Sequence, residues 1–271
     1  MSGREVQGRI GKRLAELRNN RDKGLIAYVT AGDPDLKTTV SLALQLAEAG
    51  ADLIELGVPF SDPLADGPVI QEASRRALEN GATVRGVLEA AREIRRNSDI
   101  PLILMTYYNP VYRFGLEAFV QAAVSAGVDG LILPDLPLEE SGPLLAAGDG
   151  AGLDLIPLVA PTTTDKRIRA IAASARGFIY CVSVTGVTGY REEIQTDIAK
   201  FTKRVRETTS LPLAVGFGIS GPDGAAQMAA HCDAVVVGSA FVKIIAEKGA
   251  QAGDEVAALA REIRAALKGT K

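Results

Sequence analysis

The feature that most constrains the fold is a rhythm, in which short apolar runs alternate with longer segments of helical periodicity along the chain. The first run is LIAYVTA (25–31), and DPDLKTTVSLALQLAEAG follows it. There Asp33 is placed to cap a helix, Pro34 suits a first helical turn, Leu36, Val40, Ala43 and Ala47 share a face, and Gly50 can stop it. Similar runs recur at LIELGV (53–58), LILM (102–105), LILPD (131–135), DLIPLVA (154–160), FIYCVS (178–183), LAVGFG (213–218) and AVVVG (234–238). Apolar at nearly every position, they read as parallel strands buried on both faces. The count is about eight strand–helix units, the number of an α/β TIM (β/α)8 barrel. A barrel of this kind typically has about 250 residues, so the 271 present predict one domain over 1–271. No linker-like stretch argues for a second.

Two irregularities refine the expectation. Ile10, Leu14 and Leu17 predict an extra N-terminal helix placed to plug the barrel's bottom. The connection between the second strand and its helix is extended: after DPLADGP come QEASRRALEN, Gly81 and a second helical stretch with Val84, Val87, Leu88, Ala91 and Ile94 on one face. That enlarges a loop on the catalytic side of a barrel.

Composition narrows the partners. A net charge of -3 with 23% charged residues gives an ordinary surface, without the basic patch that nucleic acid demands. No apolar run approaches the roughly 18 residues of a membrane span, and MSGREVQGRIGKRL lacks a signal-peptide core, so a cytoplasmic location is expected. Cys181 and Cys232 sit in or beside apolar segments as small core residues and supply no metal-ligand spacing.

In a barrel the chemistry sits at the C-terminal ends of the strands. Glu55, among Leu53, Ile54, Leu56 and Val58, is an ionisable group inside a strand, kept either for chemistry or for a buried ion pair. Asp66, in Ala-Asp-Gly-Pro, is a second carboxylate or the cap of the helix that follows. Phosphate in this fold is commonly held after strands seven and eight, where GFGIS and GSAFVKII stand. Gly218, Gly238 and Ser239 would leave N–H groups free for an anion at a helix N-terminus, unless the glycines only make tight turns. A third glycine-rich loop, TGVTG (185–189), follows strand six. Asp135 either lines the pocket or caps a turn, and Tyr28, Tyr107 and Tyr180 are ring contacts or ordinary core; Leu104 and Leu133 are possible walls. The single histidine, His231, falls away from this face, and no lysine ends a strand. A histidine metal site, a serine–histidine relay and a Schiff base are all disfavoured, leaving acid–base work on a phosphorylated substrate.

ELGVPFSDPLADGP, with YVTAGDPD, LPDLPLEES, APTTTD, SVTGVTG, VGFGIS and VVVGSAFVK, closely resembles the tryptophan synthase alpha subunit family, in the expected order through nearly the whole chain. The resemblance implies a TIM-barrel lyase that cleaves indole-3-glycerol phosphate into indole and glyceraldehyde 3-phosphate. It implies Glu55 as the main acid–base residue, Asp66 as the second carboxylate, and Gly189, Gly218, Gly238 and Ser239 as phosphate-binding positions. The TGVTG loop would fold over substrate, bringing Thr188 toward Asp66; Val184 stands there where some members have arginine. No cofactor is implied for this chain, since pyridoxal phosphate belongs to a beta partner expected in an α2β2 heterotetramer. Two alternatives stay open: an FMN-binding barrel oxidoreductase, whose phosphate would use the same glycine loops, and a mainly activating subunit with little turnover.

Overall fold

A computed structural model describes residues 8–182, 191–216 and 218–268, without the side chains of 191–197. Among them, nine parallel strands make one sheet: β1 (Gly24–Thr30), β2 (Leu53–Gly57), β3 (Leu102–Met105), β4 (Gly130–Ile132), β5 (Asp154–Leu155), β6 (Leu158–Val159), β7 (Ile179–Val182), β8 (Leu213–Gly216) and β9 (Ala234–Val237). Their order is β5-β4-β3-β2-β1-β9-β8-β7-β6, so β5 and β6 stand at opposite ends although only Ile156 and Pro157 separate them in sequence. The expected fifth strand is therefore one strand in two pieces, and it closes the sheet into a barrel. Pro157 explains the break. It has no N–H for the ladder, yet its carbonyl accepts from Tyr180 N at 3.0 Å while Ile156 N donates to Leu131 O at 2.9 Å.

The helices are α1 (Arg9–Asn19), α2 (Leu36–Glu48), α3 (Pro68–Glu79), α4 (Val84–Asn97), α5 (Tyr108–Phe114), α6 (Leu116–Ser125), α7 (Gly142–Ala151), α8 (Asp165–Ser174), α9 (Arg191–Arg206), α10 (Pro222–Ala229), α11 (Ser239–Lys248) and α12 (Gly253–Lys268). None is long and apolar enough to cross a membrane. The extended connection after β2 holds α3 and α4 as read. The cap of α2 differs from expectation: Asp35, not Asp33, accepts from Thr38 N. Asp33 is buried and takes both arms of Arg76, at 3.0 and 2.7 Å.

Alternation of side chains across the strands gives two cores. Ile26, Leu53, Ile103, Ile132, Ile156 and Phe178 fill the barrel, and Ile10, Leu14 and Leu17 of α1 close its lower end against them. Leu25, Ala27, Ile54, Leu56, Leu102 and Leu131 face outward into the helical layer, with the buried thiols of Cys181 and Cys232. Leu104 and Leu133 belong to that outer layer too, so they do not wall the interior pocket. On a strand buried on both faces, apolar character does not tell inside from outside.

Candidate active site

The upper layer of the barrel interior is where the packing stops being apolar. Glu55 stands opposite Tyr28 on β1 and Ile103 on β3, and it points inward with them. It is 0% exposed, and among the described residues neither carboxylate oxygen has a hydrogen-bond partner. Among the described residues no cation pairs with it, which argues against the ion-pair reading. Burial, and then the charge of Asp66, push its pKa up to about 8, so the acid is protonated at neutral pH.

Asp66 reaches the same pocket from the loop before α3. It does not cap that helix: Gly67 is the N-cap and no side chain bonds there. Instead Tyr107 donates its phenol hydrogen to Asp66 Oδ2 at 3.2 Å and accepts from Ala65 N at 2.9 Å. Burial raises Asp66 to about 6, and the Tyr107 bond opposes that rise. Phe60 stacks on the Tyr107 ring, with centroids 5.1 Å apart. Tyr107 is thus a brace for the loop and its carboxylate.

Tyr28 and Tyr180 line the pocket from β1 and β7. Each leans across a glycine two residues beyond its register partner, Gly57 on β2 and Gly216 on β8, where a Cβ would collide with the phenol oxygen. The Tyr28 hydroxyl bonds Thr30 Oγ1 at 3.3 Å. Burial holds both phenols above their ordinary pKa, so they remain neutral.

The pocket these residues enclose measures ≈ 630 Å³. Its far side is made by Gly218, Gly238 and Ser239. Gly218 sits at φ +50° with no atom of the described residues within 4 Å of a would-be Cβ, while Gly238 is the N-cap and Ser239 the first residue of α11. First-turn N–H groups at such an end have no intrahelical acceptor and favour an anion. Thr188 and Gly189, and with them the TGVTG loop and Val184, lie outside the described residues.

Asp135 corrects an expectation. Exposed outside this pocket, it accepts from Tyr108 N with both oxygens, at 2.9 and 3.0 Å, and so caps α5. Ile70 on α3 and Met105 at the end of β3 supply apolar wall that sequence reasoning missed. For Met105 the signal existed: Glu55 pairs with Ile103, so the residue two further along β3 must also face inward. His231 follows α10 at the opposite end of the barrel. Among the described residues no group of three His, Cys, Asp or Glu is placed to hold a metal ion.

Comparison with known proteins gives this geometry a context. The family model described as "Tryptophan synthase alpha chain" matches residues 14–270. The chain belongs to that family. It is 50% identical over 260 residues to the tryptophan synthase alpha chain of Geobacter sulfurreducens, covering 96% of this chain and 98% of that one. The crystal structure of the alpha chain from Legionella pneumophila superposes with a TM-score of 0.89 at 40% identity, covering 96% of this chain and 97% of that one. A chain of the tryptophan synthase complex from Pyrococcus furiosus gives 0.83 at 40% identity, covering 89% and 98%.

Proposed function

We propose that Glu55 is the acid–base residue, and Asp66 the second carboxylate, in the reaction of this family. The chain is a carbon–carbon lyase of tryptophan biosynthesis that cleaves indole-3-glycerol phosphate to indole and glyceraldehyde 3-phosphate. The observation that carries the residue assignment is Glu55: a buried carboxyl group with two unbonded oxygens, facing a pocket with glycine-lined anion positions on its other side.

Protonating indole C3 turns the ring into an electron sink. As a neutral acid Glu55 delivers that proton; as the resulting carboxylate it takes the proton of the adjacent side-chain hydroxyl. The C3–carbon bond then breaks, its electron pair returns to the ring, and the hydroxyl carbon leaves as the aldehyde. Asp66, ionised near neutrality and held by Tyr107, stabilises the charge on the ring N–H. Tyr28, Tyr180, Ile70 and Met105 hold the ring, and Gly218, Gly238 and Ser239 bind the phosphate through the backbone, with Thr188 and Gly189 completing the site. This chemistry calls for no cofactor in the chain.

The chain works as one domain over 1–271, in the cytoplasm, and hands indole to a pyridoxal-phosphate-dependent beta subunit in an α2β2 assembly. Support comes from the rim of the catalytic face, where Leu64 and Tyr112 are 92% and 70% exposed, and from the complex to which the Pyrococcus relative belongs. Substitutions at Pro59–Pro63 or Asn109–Tyr112 are expected to weaken co-elution with a beta subunit without unfolding the chain; wild-type affinity in all of them moves the interface elsewhere. For the site, the test is steady-state turnover of indole-3-glycerol phosphate by the purified chain, with and without the beta subunit. Gly218→Val is expected to raise KM at least tenfold with little change in kcat, since it removes binding shared by ground and transition states. An unchanged KM overturns the phosphate assignment.

A further inference from the structure

Outside the barrel wall, between α7 and α8, lies a second cavity of ≈ 440 Å³, within the range of small-molecule sites. Leu136, Leu145, Leu155 and Ile171 form its apolar wall. In a parallel barrel this layer is normally filled by helix side chains. It is filled around Leu56 and Leu104, both 0% exposed, whereas Leu155 is only half-buried. The cavity shares Pro134, Leu158 and Thr163 with the catalytic pocket, so one strand and its loop separate the two.

Its polar groups select a ligand. Ser141 and Ser174 spend their hydroxyl hydrogens on the carbonyls of Leu138 and Ile171, at 2.8 and 3.0 Å, and so present lone pairs. Arg167 at the rim commits both terminal nitrogens to the two oxygens of Glu139, at 2.7 and 2.9 Å. Its charge is thereby paired, and its face remains available to an aromatic ring. Such a site favours a flat, uncharged aromatic molecule with a hydrogen-bond donor, and it offers a phosphate no free cation among its described residues. We infer that this cavity is a second binding site for an indole-class ring, selective for the released product over its phosphorylated precursor; the choice of ring rests on the reading of the catalytic pocket above. Product held there lies against the outer side of the Ala160–Thr163 wall and alters substrate affinity rather than proton transfer.

The test is titration of the full chain with indole, followed by NMR of labelled isoleucine and leucine methyl groups. Leu145 and Ile171 report the new site, and Ile70 and Ile132 report the catalytic pocket. Both sets are expected to shift. Ser174→Phe and Leu145→Trp, each checked for folding by circular dichroism, fill the cavity and should weaken the Ile171 response at least tenfold while sparing that of Ile70 and Ile132. An unmoved Ile171 and Leu145 in the wild-type chain overturns the proposal, as does an Ile171 response of unchanged affinity in both variants. Loss of the Ile70 and Ile132 response alone counts against the catalytic-pocket reading and leaves the second site standing.

Discussion

Three aspartates at the lower end of this barrel and the two pocket carboxylates at its upper end are treated in opposite ways. At the lower end Asp52, Asp129 and Asp233 each accept from an N–H at the start of a neighbouring strand, Leu25, Leu102 and Leu213. Each is also paired with arginine: Asp52 with Arg13 and Arg264, Asp129 with Arg9 and Arg95, and Asp233 with Arg206. At the upper end, among the described residues, the Glu55 carboxyl has no hydrogen-bond partner and the Asp66 carboxylate has a single phenol. Satisfied buried charges fix strand ends, whereas an unsatisfied one stores a protonation equilibrium near neutral pH. The fold is held from below so that its upper end tolerates the cost.

The largest effect that can break this contrast is at Glu55. Glu55→Gln keeps size and shape but cannot shuttle a proton, so kcat should fall roughly 10²- to 10⁴-fold. Stability should hold or rise, because no bond is lost. A variant that stays active and unfolds easily would make Glu55 another structural acid and erase the difference between the ends.

Glu55 should also tie stability to pH. Its folded pKa of about 8 lies above the ordinary value near 4.5, so the folded state binds more protons across that interval. The contribution is fully present below about 4.5 and is lost as pH rises through 8. The expected swing is on the order of a few kcal/mol. Chemical unfolding at pH 5 and pH 8.5 measures it, and the Glu55→Gln chain should show a clearly smaller difference. Equal slopes in the two chains would put the titrating group elsewhere.

The lower end should respond in the opposite sense. Asp52→Ala leaves Arg264, with a side chain only 13% exposed, without its buried counter-charge, and it frees Leu25 N. A loss of about 3 kcal/mol is expected, at the low end for a broken buried pair because Arg13 is 39% exposed. Turnover per folded molecule should be unchanged. A drop in kcat at intact stability would mean that the lower acids take part in the chemistry after all.

Sequence legibility follows the same divide. Glu55 was visible because a charge inside an apolar run violates the local pattern, and Asp66 because its loop carries a specific motif. The barrel was visible in its repetition. The lower acids were not singled out, since Asp52 meets Arg264 only once first and last helices share one end of the barrel. Asp33 reads as the cap of α2, yet Asp35 fills that role, because Asp33 is taken by a long-range pair with Arg76 that sequence does not display. The split at Pro157 fell inside what reads as one continuous apolar run, and the side facing the pocket at Leu104 is ambiguous where both faces are buried. What stayed hidden depended on distant partners.

The finest test lies between the extremes, at Asp66, whose side chain has a single phenol as its partner among the described residues. Tyr107→Phe keeps the ring stacked on Phe60 but removes the hydrogen bond to Asp66 and the acceptor for Ala65 N. Loss of such bonds costs about 0.5 to 1.5 kcal/mol, so kcat/KM should fall only about 2- to 13-fold. The sign of the accompanying pH effect is set by what the bond does. It favours the ionised carboxylate, so its removal raises the Asp66 pKa above about 6. The acid limb of the kcat/KM profile should therefore move to higher pH, by at most about one unit. A stationary limb together with a lowered kcat would mean that Tyr107 only shapes the loop; a limb moving to lower pH would mean that another group controls it.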